Sequence, residues 1–237
     1  MPKPPPLPQN FPPQSKLLFL DCDSTLSAIE GIDELARLRS AACFAEIEAM
    51  TYAAMEGRIP IGEVFGRRLE IIRPTREECA RVGQMYIERV EPAAKETLAA
   101  LRATGWLPCI LSAGFRESIE PLADHLEIEW VEAVGLHFDE TGNYLGYERD
   151  YPTTRNGGKP EVIKKWIQQY APTHTVMIGD GISDLETQSV VDLFVGYGGV
   201  VARPRVQAEA RDFIHRLDEL PGVVDSFFGA GALPPRL

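Results

Sequence analysis

The sequence predicts an α/β protein: a parallel sheet covered by helices, with a small helical block inserted after the first strand. Three observations carry this reading. The apolar run Leu17-Leu18-Phe19-Leu20 stops at two aspartates, Asp21 and Asp23. Residues 28–90 show apolar positions at helical spacing and no convincing strand. From about residue 92, short apolar runs alternate with helical patterns, as in a sheet buried on both faces.

Each element follows from its local pattern. Residues 16–26 give a strand and an acidic turn. In the insert, Ile29, Ile32 and Leu35, then Phe44, Ile47 and Met50, then Ile61, Val64, Phe65 and Leu69 recur at helical intervals, and Pro60 suits a helix start. A helix is expected from near Pro92 to Gly105, with Leu98 and Leu101 inward. A strand over 107–111 then ends in Ser112-Ala113-Gly114. A helix around 116–126 is followed by one or two hairpins over 131–151, with turn residues Asp139, Thr141, Gly142 and Asn143. Further on come a helix from Pro160, a strand over 175–178 ending in Gly179-Asp180-Gly181, a strand over 193–196 and a final helix near 203–210. The expected organisation is a proline-rich disordered arm (1–14), a core (15–27 and 92–237) and a helical cap (28–91). The cap leaves the core beside the acidic turn, which suits a lid.

Composition narrows the function. The chain has 237 residues, 44% hydrophobic and 25% charged, enough for a large core. A net charge of −11 leaves no basic stripe to neutralise phosphates, so no nucleic-acid partner is expected. No stretch reaches the roughly 18 apolar residues of a membrane helix, so no membrane partner is expected either. Seven of the first thirteen residues are proline, without the apolar centre of a secretory signal. That arm reads as a solvated tail or a ligand for a recognition domain. Cys22, Cys43, Cys79 and Cys109 lack metal or disulfide spacing, and Cys22 and Cys109 sit in apolar runs as small buried hydrophobes. A reducing, cytoplasmic setting fits.

The chemistry lies at strand ends, where open α/β sheets bind ligands. Asp21-Cys22-Asp23-Ser24-Thr25 alone could be an acidic turn that caps a helix. Ser112-Ala113-Gly114 and Gly179-Asp180-Gly181 alone are turn formers, and Lys159 alone could be a solvated lysine. In order along one chain, they compose a phosphoryl-transfer site. Asp21 would be a carboxylate nucleophile, dividing hydrolysis into two easier steps through an aspartyl-phosphate. Asp23 would protonate the leaving alkoxide and then activate water. Asp21, Asp180 and the Asp23 carbonyl would hold Mg²⁺, a hard cation suited to oxygen ligands. Ser112, neighbouring backbone N–H groups and Lys159 would bind phosphoryl oxygens, and Asp184 would orient metal waters or Lys159.

These segments resemble the haloacid dehalogenase (HAD) superfamily of phosphatases. Within it, DCDSTLSAIEGIDELA, AAMEGRIPIGEVFGRRLEIIRPTRE, LSAGFRESIEPLADHL, NGGK and IGDGISDLET resemble the successive motifs of its phosphoserine-hydrolysing family. The resemblance covers about residues 16–225. It implies a HAD-like Rossmannoid parallel-sheet core with a helical-bundle cap, and Mg²⁺-dependent conversion of O-phospho-L-serine to L-serine and phosphate, the last step of serine biosynthesis. It places Glu30 facing the substrate amine, Arg68 facing its carboxylate, Met55 and Gly57 along the pocket, and Ser112, Gly114 and Lys159 on the phosphate. A carboxylate and a guanidinium complement the amino-acid end of such a substrate. The residues leave two points open: Ser27-Ala28-Ile29-Glu30 also fits a helix capping box, and either Arg67 or Arg68 could face inward. Two substrate-facing positions depart from the family pattern, Ala113 where glycine is usual and Ser183 where Asn or Thr is usual. The partner expected is a small phosphate ester, acted on by a monomer or homodimer. Alternatives are another small phosphomonoester (phosphothreonine, homoserine phosphate, a sugar phosphate) or a non-enzymatic phosphoaspartate signalling module.

Overall fold

The computed structural model describes residues 15–229 apart from Gly57, with Met55 described in its backbone only. The expected arm at 1–14 lies outside the described residues. The first strand, β1 (Lys16–Leu20), is central because its side chains have nowhere else to go: Leu17, Leu18, Phe19 and Leu20 are all fully buried. Alternate residues serve opposite faces of the sheet. Leu18 and Leu20 join one core cluster, whereas Leu17 and Phe19 join the other. Full burial of each such side chain contributes about 1.5–3 kcal/mol.

Four helices follow: α1 (Gly31–Arg39), α2 (Ala41–Met55), α3 (Ile61–Ile72) and α4 (Arg76–Glu88). The chain then returns through α5 (Ala94–Ala103) to β2 (Trp106–Phe115), α6 (Arg116–His125) and β3 (Trp130–Val134). A two-stranded hairpin of β4 (Leu136–Phe138) and β5 (Tyr144–Tyr147) precedes α7 (Gly158–Tyr170). β6 (His174–Gly179), α8 (Ile182–Leu185), β7 (Leu193–Tyr197), α9 (Pro204–Glu209), β8 (Asp212–Ile214) and α10 (Leu220–Gly229) complete the described chain. The six-stranded sheet runs β3-β2-β1-β6-β7-β8, and every neighbouring pair is parallel. Among the described residues, no helix is long and apolar enough to cross a membrane.

Several local expectations are corrected. β2 does not stop at Leu111; it continues to Phe115 through a register shift against β3, so Ser112-Ala113-Gly114 is irregular strand and not a turn. The region after α6 is not all hairpin. Its first strand, β3, pairs with β2 in the main sheet, and only β4 and β5 form a hairpin. Lys159 stands in the first turn of α7, one position earlier than a helix opened by Pro160 would begin. The chain does not end in a helix near 210, since β8 and α10 follow. The capping box at Ser27–Glu30 does not form. Glu30 precedes α1 without a side-chain cap, and the Ser27 hydroxyl donates instead to the carbonyls of Tyr86 and Arg89, because the two segments joining the insert to the core meet there. A true capping box stands at Thr75 and Glu78, opening α4.

Candidate active site

The sheet order places the site. From β1 the chain moves to one side for β2 and β3, and to the other for β6, β7 and β8. The crevice outside the carboxyl ends of β1 and β6 is therefore a topological switch point. Asp21 follows β1 and Asp180 follows β6. The Asp21 N–H still donates to Ile178 O at 3.0 Å, so the first acidic residue is held by the sheet itself. Ser24 then takes a positive φ of 52° and turns the chain toward the insert.

Below the crevice the charges are tightly paired. Lys159 Nζ donates to Asp21 Oδ1 at 2.7 Å and to Asp184 Oδ1 at 2.5 Å. All three are buried, Asp184 completely. Asp184 Oδ2 accepts the Gly181 N–H at 3.0 Å. This carboxylate lies so close to the end of β6 that a Cβ on Gly179 would fall 2.3 Å from its Cγ, which leaves room only for glycine. Asp180 Oδ2 accepts Arg203 Nε at 2.8 Å, and Thr25 Oγ1 donates to its other oxygen at 3.5 Å. Oxygens of Asp21, Asp180 and Asp184 lie within 4.8 Å of one another. Three buried carboxylates at that spacing suit a hard divalent cation. The Asp23 carboxylate is not one of the three, and Asp184, expected to orient metal waters or Lys159, both accepts a hydrogen bond from Lys159 and lies within the acidic cluster.

Asp23 is held by different groups. Its Oδ1 accepts the Gly31 N–H and the Tyr86 hydroxyl, each at 2.6 Å, and its Oδ2 accepts Ser112 Oγ at 3.4 Å. Ser112 Oγ also accepts the Gly114 N–H at 2.8 Å. Ser112 is fully buried against Asp23 Oδ2 and is not among the residues lining the cleft, whereas Ala113, Gly114, Lys159 and Ser183 line it with Asp21 and Asp23.

The opposite wall comes from the insert and carries Glu30 and Arg68. Glu30 accepts Ser24 Oγ at 2.7 Å and lies 3.8 Å from Arg203. Arg68 donates to Thr51 Oγ1 at 3.1 Å, and Thr51 in turn donates to Asp33 at 2.7 Å. Arg68 Nε is buried without a hydrogen-bond partner. Of the two neighbouring arginines, Arg68 faces inward at 6% exposure, while Arg67 pairs with Glu46 at the surface. Gly57 lies outside the described residues, and so does the side chain of Met55.

Crowding of acids in a dry place shifts their protonation. Burial, then the Asp21 charge, raises the Asp23 pKa, partly offset by the Tyr86 hydrogen bond. Burial, then Asp23 and Asp180, pushes Glu30 well up. Burial, then Asp21, does the same to Asp184. Asp180 is raised to about 6, chiefly by burial, with Arg203 pulling against it. Burial opposes the charge on Lys159, but Asp184 and Asp21 outweigh it and raise its pKa. With five acids against Lys159, Arg203 and Arg68, a phosphate dianion needs further positive charge here, and a cation among Asp21, Asp180 and Asp184 would counter the upward push on Asp180 and Asp184.

Two groups were not foreseen from sequence. Tyr86 lies inside α4, outside the motifs; Arg203 stands just ahead of α9, within the segment DLFVGYGGVVARPRVQ that also resembles the family, but without a role assigned to it there. Arg203 contacts Asp180 and lies within 3.8 Å of Glu30 and Glu56, so it joins the sheet edge to the insert.

Residues 18–187 match the family described as haloacid dehalogenase-like hydrolase. The phosphoserine phosphatase of Homo sapiens is 35% identical over 208 residues, 84% of this chain and 91% of that protein. The phosphoserine phosphatase of Drosophila melanogaster is 34% identical, over 93% of this chain and 82% of that protein. Among solved structures, a phosphoserine phosphohydrolase-like protein from Francisella tularensis superposes with a TM-score of 0.80 at 25% identity, covering 88% of this chain and 99% of that one.

Proposed function

The chain belongs to the haloacid dehalogenase-like hydrolases, and we propose that it converts O-phospho-L-serine to L-serine and phosphate with Mg²⁺. It is a metal-dependent phosphatase of small phosphate esters; the amino-acid substrate and the identity of the metal are the proposal. One observation carries the substrate. The cleft that contains Asp21 and Asp23 is faced by one carboxylate, Glu30, and one buried guanidinium, Arg68, whose Nε is unpartnered. A buried donor without an acceptor costs about 1–3 kcal/mol, so that site favours a carboxylate ligand. An ammonium beside Glu30 would favour its charged form and pull its raised pKa back down.

The chain's own residues account for the chemistry. An Asp21 oxygen attacks phosphorus as the bond from phosphorus to the serine oxygen breaks. Asp23 gives its proton to that departing oxygen, and its burial favours the protonated form. Asp23 then takes a proton from water, which attacks the aspartyl-phosphate, releases phosphate and restores Asp21. Lys159 stays charged between Asp21 and Asp184, offsetting phosphoryl charge. Ser112 positions the Gly114 N–H and Asp23. Asp21, Asp180 and Asp184, with the Asp23 carbonyl, would hold Mg²⁺, which neutralises phosphoryl charge when bound.

On this reading residues 28–91 are the substrate lid, and 15–27 with 92–237 the catalytic core. Ala113 and Ser183 both line the cleft. Four unpaired cysteines support a reducing, cytoplasmic setting. The charge of −11 supports a small-molecule partner over nucleic acid. The deciding experiment measures phosphate release, with and without Mg²⁺ or Mn²⁺, from phosphoserine, phosphothreonine, homoserine phosphate and a sugar phosphate. Phosphoserine is expected to have the highest kcat/KM; a preference for the sugar phosphate would overturn the substrate.

A further inference from the structure

Asp23 is gripped from the insert. Its Oδ1 accepts two hydrogen bonds of 2.6 Å, one from the Gly31 N–H at the start of α1 and one from the Tyr86 hydroxyl in the last turn of α4. A carboxylate oxygen has two lone-pair directions in its plane, so two such donors occupy it. Oδ2 is left for the cleft. It lies 3.4 Å from Ser112 Oγ, and a Cβ placed on Gly114, a cleft-lining residue, would stand 3.0 Å from it.

Tyr86 is fitted to this task closely. Its ring is buried at 1% exposure. A methyl group on Gly31 would fall 2.0 Å from its hydroxyl oxygen and 2.8 Å from its Cζ, so the bare backbone of Gly31 makes room for the phenol as well as donating beside it. The Tyr86 carbonyl accepts Ser27 Oγ at 3.0 Å. Nearby, Ala28 N–H donates to Arg89 O at 2.9 Å and Glu91 N–H to Leu26 O at 2.8 Å. Tyr86 thus stands where the outgoing and returning segments of the insert pair. A buried tyrosine hydroxyl requires some partner. Here the partner is the carboxylate assigned to proton transfer.

We propose that Tyr86 is a positioning residue for the phosphatase reaction: its hydroxyl, with the Gly31 N–H, pins Oδ1 of Asp23 so that Oδ2 alone hands the proton to the departing serine oxygen. The inference rests on the assignment of Asp23 as acid and base. In the step, the ester P–O bond breaks with its electron pair staying on the serine oxygen. The proton moves from Asp23 Oδ2 to that oxygen, and Tyr86 keeps its own proton. The placement of the acid therefore depends on α1 and α4, so a cap out of position also misplaces the acid.

The test uses the full chain with Mg²⁺ in single-turnover reactions, enzyme in excess, following release of the leaving group. Tyr86→Phe keeps the ring and removes one donor. Serine release from phosphoserine is expected to slow about tenfold, a part of the 10²–10⁴ that a placed acid contributes. The enzyme concentration giving the half-maximal rate should stay within about twofold, and nitrophenolate release from p-nitrophenyl phosphate should also change less than about twofold, because that leaving group departs without a proton. Equal losses on both esters, or a loss confined to that half-saturating concentration, overturn the proposal. Gly31→Ala displaces the hydroxyl without deleting it and should give the same split. It decides the matter if thermal unfolding shows that the Phe variant does not fold. Asp23→Asn separates the two levels. If it leaves serine release intact, the acid assignment itself fails; if it blocks release while both other variants leave the split absent, only the role of Tyr86 fails.

Discussion

The floor of the cleft and its lid are built on opposite electrostatic plans. On the floor the main charges are bonded to one another: Lys159 lies between Asp21 and Asp184, and Arg203 Nε is bonded to Asp180, although its Nη1 makes no hydrogen bond. On the lid, Arg68 is buried with Nε unpaired, and Glu30 is pushed toward its neutral form by burial and by the acids beneath it. A paired floor is preorganised for one reaction and needs little rearrangement when the phosphoryl group arrives. A lid with unmet polar demand is completed by the substrate, so it selects. On the proposed reading the difference separates two properties: chemistry at the ends of β1 and β6, choice of ester in the insert.

The comparison breaks most severely at the floor. Asp21→Asn removes the nucleophile and should lower turnover of every phosphate ester by at least about 10⁴-fold, in line with removal of a covalent catalyst. Normal phosphate release by that variant would remove the aspartyl-phosphate from consideration. A smaller and more selective loss belongs to the lid. Arg68→Ala should raise KM for phosphoserine by about 10- to 100-fold, the value of a charge-assisted hydrogen bond of roughly 1.5–3 kcal/mol. The same variant should change KM for p-nitrophenyl phosphate much less. Equal losses on both would transfer Arg68 from selection to structure.

Metal addition sharpens the contrast without any turnover. The acids of the floor repel one another, so Mg²⁺ binding only the folded state should raise the thermal unfolding midpoint by a few degrees. Asp180→Asn should abolish most of that increment, and an unchanged increment would place the cation elsewhere. The smallest effect concerns the lid's own acid. Burial raises Asp33 to about 6, against the hydrogen bond from Thr51 and the charge of Arg68. In the unfolded chain an aspartate titrates near about 3.9. A raised folded pKa contributes stability that is complete below about pH 4 and is lost as pH rises through about 6. Asp33→Asn should therefore gain stability relative to the parent as pH rises from 4 to 7, read by thermal unfolding; a constant difference across that window would show that Asp33 does not titrate there.

Legibility in the sequence followed distance along the chain. Asp21 and Asp23 stood out because an apolar strand ends in them within a few residues, and Asp180 for the same reason. Lys159 was recognisable beside two glycines, though its place inside the first turn of α7 was not. Tyr86 was not legible: its partner, Asp23, is 63 residues away, and a tyrosine inside a helix reads as packing. Arg203 was hidden likewise, since its bond to Asp180 depends on how the loop after β7 crosses the sheet edge. Between Arg67 and Arg68 only the packing of α3 decides, because adjacent helix positions point about 100° apart and one must face solvent. Glu30 had two locally consistent futures, helix cap or pocket wall, and the meeting of the two linkers at Ser27 removed the first.

By itself the sequence determined the α/β class, the helical insert and the acidic strand ends. Those depend on period and on neighbours, which short-range sterics and burial dictate. The tertiary structure alone decided that Asp184 lies within the cluster of Asp21 and Asp180, that Arg68 turns inward, and that Asp23 is held from α4. Those choices are made between residues far apart in the chain. Their energies come from burial and pairing that exist only once the sheet and the insert have closed on each other.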